Sequence, residues 1–390
     1  MPFNAYLPPS FCDFKAKSVG VVSQNKGACA VCAEKSFRLS NEQRKNYTFE
    51  MNRHLGGFFL FFLRKLCGRE TKRFTIRALS CIIVRYNCII MSYCAYMRER
   101  CPMKISENWK DYSIIATGDG YKLERWKDVY LLRPDPQVIW AAQTDLFAYP
   151  KMNAYYKRSE KGGGGWKMLK PLPDEWNISY DELNIQFKIK PMGFKHTGLF
   201  PEQAVNWEYM TKLIKNAGRP IKVLNLFAYT GGATVACAKA GAQVTHVDAA
   251  KGMVERAGEN ARLSGIDTGI RYIVDDCLKF VQREIRRGNK YDAIIMDPPS
   301  YGRGPNGEMW KIENDLYKFV ELCANVLSDN PLFVLINSYT TGLQPMVLKN
   351  ILQLTLKGFN GKVEAYEVGI KTEEGISLPC GAGGIFVNES

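Results

Sequence analysis

The strongest constraint on the fold is a regular alternation of strands and helices that begins near residue 201. Five segments are short, apolar and largely β-branched, and helix-like stretches separate them. The predicted strands are IKVLNLFA (221–228), AQVTHVD (242–248), IRYIVDD (270–276), YDAIIMD (291–297) and LFVLINS (332–338). Strand–helix units in series require right-handed crossovers, and continuously apolar strands require helices on both faces. The pattern therefore predicts an α/β fold with a doubly wound, mostly parallel sheet. KVEAYEVGI (362–370) and GGIFVNE (383–389) would add two edge strands, making seven.

The chain divides into three parts that differ in composition and in the periodicity of their apolar residues. Residues 103–190 contain short strands such as YSIIAT, YKLERW and LNIQFKIKP joined by turns, which predicts a small β-rich domain. The glycines at 162–165 are expected to form a hairpin loop. Pro201 is favourable in a first helical turn, and the helix that it opens should end at Gly218. We therefore expect a poorly structured extension (1–102), the β-rich domain (103–190) and the α/β domain (191–390).

Most of the positive charge and most of the cysteine lie in residues 1–102. This segment has 17 Lys and Arg against 6 Asp and Glu, and the rest of the chain has 36 against 33. The formal net charge of +14 thus divides into +11 and +3, and eight of the 12 cysteines lie in the same segment. No sustained periodicity is present there. The segment is interpreted as a disordered basic tail, or as an upstream extension translated from a misplaced start before Met103.

Two motifs in this segment raise the question of a metal or a membrane. CAVC (29–32) has metal-ligand spacing, but no second cysteine or histidine pair follows, so unpaired thiols and no metal site are predicted. The apolar run at 78–97 contains Arg85 and Asn87, which disfavour a membrane-spanning helix. We expect a cytoplasmic protein without a membrane partner.

Polar and glycine residues follow three of the predicted strands. In a doubly wound sheet, ligands bind at the carboxyl ends of the strands beside the point where the strand order reverses. Gly231 and Gly232 follow the first strand, where they would let the backbone approach a ligand ahead of a helix N-terminus. Asp248 ends the second strand and could accept from ribose hydroxyls, while Asp276 after the third could accept from an adenine amine. Together these positions predict an adenosine site.

The glycine pattern distinguishes between adenosine cofactors. FAYTGGAT lacks the G-x-G-x-x-G arrangement that holds a pyrophosphate, and the chain has no G-x-x-x-x-G-K-[ST] for ATP. A nicotinamide oxidoreductase is therefore the weaker alternative, and a ligand without phosphate is favoured.

The motifs VLNLFAYTGG, HVDAA, VDD and DPPSY resemble those of class I S-adenosylmethionine-dependent methyltransferases, in particular the bacterial large-subunit ribosomal RNA base methyltransferase branch. GFKHTGLFPEQAVNW is similar to the segment that covers the cofactor in that branch. The resemblance implies a Rossmann-like fold and S-adenosylmethionine as cofactor. The cofactor-binding residues that it implies are Gln203, Asn225, Phe227, Tyr229, Thr230, Gly231, Gly232, Asp248, Asp276 and Asp297.

The stretch DPPSYGRGPNG begins at the end of the fourth strand and supplies the predicted catalytic residues. Asp297 could orient the cofactor or the acceptor base, and Pro298 and Pro299 would fix the backbone and leave carbonyls without a competing local N–H. Tyr301 could stack on a flipped-out base, and Arg303 could meet a phosphate. In amino-group methyltransferases an aromatic residue directly follows the second proline, whereas Ser300 intervenes here.

Cysteine placement bears on which atom is methylated. Carbon 5 of a pyrimidine requires attack by a thiolate, but the stretch after the fifth strand, INSYTTG, has no cysteine. Cys380 is the remaining candidate thiol, because Cys277, whose pKa could fall at a helix start, lies on the adenine side. The methylated atom and the oligomeric state stay open.

The resemblance alone implies RNA, ribosomal in the branch concerned, as the partner. A net charge of +3 over residues 103–390 gives little electrostatic attraction to a phosphate backbone. A small-molecule or protein methyltransferase, and an RNA-binding relative without catalysis, are therefore kept as alternatives.

Overall fold

The computed structural model describes residues 102–159, 163–303 and 309–389. The strands are β1 (Met103–Ser106), β2 (Tyr112–Gly118), β3 (Tyr121–Trp126), β4 (Val129–Pro134), β5 (Ala154–Arg158), β6 (Gly164–Met168), β7 (Trp176–Tyr180), β8 (Ile185–Ile189), β9 (Lys222–Leu226), β10 (Gln243–Asp248), β11 (Ile270–Val274), β12 (Ala293–Met296), β13 (Tyr301–Arg303), β14 (Met309–Lys311), β15 (Phe333–Ser338), β16 (Gly361–Lys371) and β17 (Ser377–Asn388). The helices are α1 (Ala204–Asn216), α2 (Gly232–Lys239), α3 (Lys251–Leu263), α4 (Cys277–Arg287), α5 (Ile312–Ala324) and α6 (Pro345–Thr355), with short 3-10 turns at Leu146–Ala148, Asp181–Leu183, Gly193–Lys195 and Pro201–Gln203.

The principal sheet has eight strands in the order β1-β16-β17-β15-β12-β9-β10-β11. β17 is antiparallel to both of its neighbours, and the remaining pairs are parallel. The strand order reverses beside β9, with β10 on one side and β12 on the other. The predicted α/β class and doubly wound sheet are confirmed.

An eighth strand joins the seven that the sequence predicts. β1, which sequence analysis assigned to the small domain, pairs in parallel with β16 from Met103 opposite Glu367 to Ser106 opposite Ile370. It forms one outer edge of the sheet. The domain boundaries at 102 and 190 remain a prediction, and the motifs of residues 1–101 lie outside the described residues.

Residues 112–189 form the small β-rich part. A five-stranded sheet in the order β2-β3-β4-β5-β6 is followed by the β7–β8 hairpin. β5 and β6 pair across the predicted glycine-rich loop, from Ala154 opposite Met168 to Arg158 opposite Gly164. Sequence analysis did not identify β5 or β7.

Two buried apolar clusters cover the faces of the principal sheet. One cluster combines side chains of α1, α2 and the strands with side chains of the small β-rich part. Trp207 of α1 lies where the two groups meet, with its ring 5.3 Å from that of Phe187 and 6.2 Å from that of Tyr180. The other packs α4, α5 and α6 against the opposite face. The small part therefore shares a core with the sheet, which fixes its position relative to the strand ends.

The helix at Pro201 ends as the sequence predicts. Its first turn is 3-10, α1 follows to Asn216, and Gly218 has a left-handed φ of +66°. Within the described part of the chain, no helix has the length and hydropathy that are needed to cross a membrane.

Candidate functional site

The loop after β9 is wound through left-handed backbone conformations. Phe227, Tyr229 and Gly231 have φ values of +55°, +51° and +84°. For the two residues other than glycine this conformation costs of order 1–3 kcal/mol each, and such costs cluster at functional sites. The amide of Phe227 donates to Cys277 Sγ at 3.3 Å, and the hydroxyl of Tyr229 is buried without a partner in the described structure. The loop is thus held in a strained shape at the strand ends.

Asp248 at the end of β10 organises this loop. Its Oδ2 accepts from the Tyr229 amide and its Oδ1 from the Ala250 amide, both at 2.8 Å. Burial raises the pKa of Asp248 even though both amides oppose the shift. Each carboxylate oxygen can accept a second hydrogen bond, so the predicted contact to a ribose fits this geometry.

The two loop glycines are required by packing inside the protein. A Cβ added to Gly231 would lie 2.8 Å from Ala257 Cβ, and one added to Gly232 would lie 2.7 Å from Trp207 Cζ2. Both distances are below any normal contact. The two glycines are therefore needed because the loop packs closely against α3 and α1. The sequence had suggested close approach to a ligand instead.

Three predicted cofactor residues have side chains that serve other contacts. Asn225 is 2% exposed and donates from Nδ2 to Thr234 Oγ1 at 2.8 Å. Thr230 is 1% exposed and donates to the Gly198 carbonyl at 2.6 Å, which ties the loop to the segment before α1. Phe227 turns into the second apolar cluster, 5.5 Å from Phe319. These side chains shape the site from beneath.

The acids after β11 have structural partners. Asp276 is the N-cap of α4 and accepts from the Lys279 amide at 2.8 Å, and Asp275 forms an ion pair with Arg283. The second oxygen of Asp276 makes no hydrogen bond within the described residues. The predicted contact of Asp276 to an adenine amine would use that oxygen.

Gln203 lies where the 3-10 turn meets α1, in a buried hydrogen-bond network. Its Nε2 donates to the Tyr339 hydroxyl at 2.7 Å, and its Oε1 accepts from Asn206 Nδ2 at 2.8 Å. Asn206 also donates to Asn337 Oδ1 at 3.1 Å. The network joins the covering segment to the end of β15, so Gln203 is held firmly at the sheet edge.

Two carboxyl groups lie near each other beside this network. Glu202 is 6% exposed, and Asp297 follows β12. Burial, reinforced by the nearby Glu202 carboxylate, raises the pKa of Asp297 to about 7. Burial likewise raises the pKa of Glu202, although Lys122 and Arg133 oppose the shift. Within the residues described, neither carboxylate forms an ion pair. Ionisation of both carboxyl groups is therefore disfavoured in the free protein, and a bound cation would favour it.

The prolines after Asp297 differ in their surroundings. Pro298 is buried and Pro299 is exposed. The Pro299 carbonyl accepts from the indole N–H of Trp310, 11 residues further along the chain, at 2.7 Å. Tyr301 begins β13, and its side chain is 50% exposed on a hairpin.

Aromatic rings cover the space above the loop. The Phe200 ring lies 5.6 Å from Tyr229 and 5.2 Å from Tyr339, and the His196 ring lies 6.2 Å from Tyr229. Arg133 fastens this segment to the small part by donating to the Lys195 carbonyl at 3.0 Å. The cover is thus attached both to the loop and to β4.

The two thiols near the site have raised pKa values. Burial raises the pKa of Cys277, which overturns the expectation that a helix start lowers it. Burial, followed by the nearby Glu202 carboxylate, raises the pKa of Cys380 well above its usual value. No group of three or more His, Cys, Asp or Glu residues suited to a metal ion lies among the described residues.

The structure brings Gln203, Tyr229, Asp248 and Asp297 to one edge of the sheet and adds Glu202, which sequence analysis missed. The signal for Glu202 was its position beside Gln203 in FPEQ, an acid within an otherwise apolar turn. Arg133 and Lys195 were also missed, because they meet only through contacts between distant segments.

The sequence profile of the family described as S-adenosylmethionine-dependent methyltransferase matches residues 140–344. A crystal structure of a SAM-dependent methyltransferase from Agrobacterium tumefaciens is 33% identical in sequence. The structural alignment covers 74% of this chain and 96% of the Agrobacterium chain, with a TM-score of 0.69.

Two curated relatives are similar over part of the chain. Ribosomal RNA large subunit methyltransferase K/L of Shewanella frigidimarina is 32% identical over 45% of this chain and 24% of its own length. Ribosomal RNA large subunit methyltransferase K of Neisseria meningitidis serogroup B is 26% identical over 60% of this chain and 66% of its own length. The chain thus spans less than two thirds of the length of each relative.

Proposed function

Because the chain belongs to the S-adenosylmethionine-dependent methyltransferases, we propose that it methylates a base of ribosomal RNA. The observation that supports this proposal most directly is the pair of carboxyl groups, Glu202 and Asp297, at the carboxyl ends of the strands beside the loop that Asp248 organises. The names of the curated relatives, which are ribosomal RNA large subunit methyltransferases, support RNA as the acceptor.

The chemistry of the site fits the family's cofactor. S-adenosylmethionine supplies an electrophilic methyl group on a positively charged sulfonium. We assign Asp248 to the ribose hydroxyls and Asp276 to the adenine amine. Asp297 and Glu202 form no ion pair within the described residues, and a cationic cofactor would favour their ionised forms. The buried Tyr229 hydroxyl, which has no partner in the described structure, is a further hydrogen-bonding group for the ligand.

The acceptor is proposed to be a nitrogen atom. A pyrimidine carbon would require a thiolate, and the raised pKa of Cys380 disfavours one. A nitrogen acceptor requires positioning and a group that takes up a proton. Asp297, with a pKa of about 7, is suited to that task near neutral pH. Pro298 and Pro299 hold the Asp297 backbone, whose amide donates to the Leu226 carbonyl at 3.4 Å.

The test is methyl transfer from radiolabelled S-adenosylmethionine to RNA from a strain that lacks the gene. Label in ribosomal RNA, lost in Asp297→Asn and kept in the exposed control Asp329→Asn, is the expected result. Label confined to protein or small molecules would refute the RNA acceptor. Calorimetry with S-adenosylhomocysteine tests the cofactor separately. A cytoplasmic location is part of this proposal.

A further inference from the structure

A two-stranded hairpin follows the prolines of the site. β13 and β14 are antiparallel, with Tyr301 opposite Lys311, Gly302 opposite Trp310 and Arg303 opposite Met309. Side chains alternate between the faces of a strand pair. One face therefore presents Tyr301, Arg303, Met309 and Lys311, which we call the outer face. Gly302 and Trp310 form the inner face.

The inner face fixes the hairpin to the body of the protein. The Trp310 ring lies 5.6 Å from that of Phe227 and 5.7 Å from that of Phe319, both in the second apolar cluster. Its indole N–H donates to the Pro299 carbonyl. Phe227 belongs to the loop after β9. The outer face is thus held in a set position beside both the proline pair and that loop.

The outer face combines aromatic and cationic side chains that have no partner outside the hairpin among the residues that the structure describes. Tyr301 is 50% exposed and Met309 47% exposed, and the Tyr301 hydroxyl donates to Met309 Sδ at 2.9 Å. Arg303 and Lys311 occupy the other diagonal and are exposed. Over the described ranges, neither cation lies within salt-bridge distance of a carboxylate. Four neighbouring side chains therefore offer a stacking surface flanked by two positive charges.

This chemistry matches unpaired nucleic acid. A single strand presents the face of each base for stacking, and its phosphates lie beside that face. A base within a duplex is already stacked on both sides. Resting on the proposed function, we propose that the outer face binds an unpaired RNA segment next to the methylated base. Tyr301 and Met309 contact a base, and Arg303 and Lys311 contact the adjoining phosphates.

The experiment measures binding of the full chain to a short fluorescent single-stranded RNA and to the same RNA annealed to its complement, at several salt concentrations. Stacking on an aromatic ring contributes about 1–3 kcal/mol per base, so Tyr301→Ala should weaken single-strand affinity about 5- to 150-fold. Tyr301→Phe should retain it. Arg303→Gln with Lys311→Gln should lower the slope of log affinity against log salt by about 1.4, from two phosphates at ~0.7 each.

Matched controls lie on other surfaces. Tyr272, 37% exposed on the edge strand β11, and the exposed Arg286 of α4 are changed by Tyr272→Ala and Arg286→Gln, which should leave binding unchanged. Circular dichroism verifies that each variant is folded. Wild-type affinity and salt slope in both hairpin variants, or equal binding of duplex and single strand, would overturn the proposal.

Further readings separate this proposal from the proposed function. If the wild-type protein methylates ribosomal RNA but the hairpin variants bind RNA normally, the function stands and the hairpin proposal fails. If the wild-type protein binds S-adenosylhomocysteine but neither binds nor methylates RNA, both proposals fail and the cofactor assignment stands. A hairpin variant that changes self-association in ultracentrifugation, but not RNA binding, would identify a contact between copies of the chain and overturn the RNA assignment.

Discussion

Substitution of Asp297 by Asn is expected to stabilise the fold at alkaline pH. The pKa of this carboxyl is raised from 3.8 to about 7, because burial and the Glu202 carboxylate disfavour its charged form. Between these two pH values the unfolded chain ionises Asp297 while the folded chain keeps it protonated. Wild-type stability therefore falls as pH rises from about 4 to 7, and the full penalty is present above pH 7.

The size of this effect follows from the pKa change. Each pKa unit corresponds to about 1.4 kcal/mol, so a rise from 3.8 to about 7 sets an upper bound of about 4 kcal/mol. Asp297 is part-exposed, and solvent screening lowers the expected effect to about 1–3 kcal/mol. Asp297→Asn should be more stable than the wild-type protein by this amount at pH 8, and the difference should vanish near pH 4.

The assay is chemical unfolding of both proteins across this pH range, with Asp292→Asn as the control. Asp292 lies at the other end of β12 and accepts from Arg219 Nη1 at 2.7 Å and from the Lys222 amide at 2.9 Å. Burial opposes its ionisation, but these hydrogen bonds prevail and lower its pKa. Asp292→Asn should therefore destabilise the protein at pH 8. If Asp297→Asn destabilised the protein at pH 8 as well, the reasoning about an uncompensated carboxylate would be refuted.

Three further changes have expected outcomes. Gly232→Ala should lower the free energy of unfolding by about 1–3 kcal/mol, because its Cβ would lie 2.7 Å from Trp207 Cζ2; unchanged chemical denaturation would contradict this. Asp248→Asn should weaken S-adenosylhomocysteine binding about 10- to 100-fold in calorimetry. The reason is that the Asn side chain has one oxygen and can accept from only one of the two backbone amides, so the loop loses a hydrogen bond worth about 1–3 kcal/mol. Cys380→Ala should retain methyl transfer in the radiolabel assay, because the raised pKa of this part-buried thiol disfavours a thiolate; abolished transfer with intact cofactor binding would restore a thiolate mechanism.

The principal sheet was predictable because its strands have strong local signals. β12 (AIIM) is apolar and buried throughout, and β9, β10 and β15 each contain apolar residues at buried central positions, as strands covered on both faces require. β1 was not predicted as part of this sheet, since its four residues acquire their partner only through pairing with β16, more than 250 residues away along the chain. Such pairing leaves no trace in a short local sequence.

The position of the candidate site was predictable from the sequence, but the contacts that each side chain makes there were less so. Topology alone brings Asp248 and Asp297 to one edge of the sheet. The packing roles of Gly231 and Gly232 depend on Ala257 and Trp207, which come from other helices. Glu202 escaped notice because an acid in a first helical turn is ordinarily exposed, and only the packed structure shows that it is buried.

Buried charge is compensated in one part of this protein and left uncompensated in another. In the small part, Glu124 is fully buried but accepts from Arg133 Nε at 2.5 Å and Nη2 at 2.6 Å, so its charge is balanced within the fold. At the carboxyl ends of the strands, neither Asp297 nor Glu202 forms an ion pair within the described residues, burial raises the pKa of both, and left-handed Tyr229 adds backbone strain beside them. Folding alone gives no reason to keep either feature, because both destabilise the chain. They are explained if a positively charged ligand supplies the missing partner, as S-adenosylmethionine would under the proposed assignment of the site.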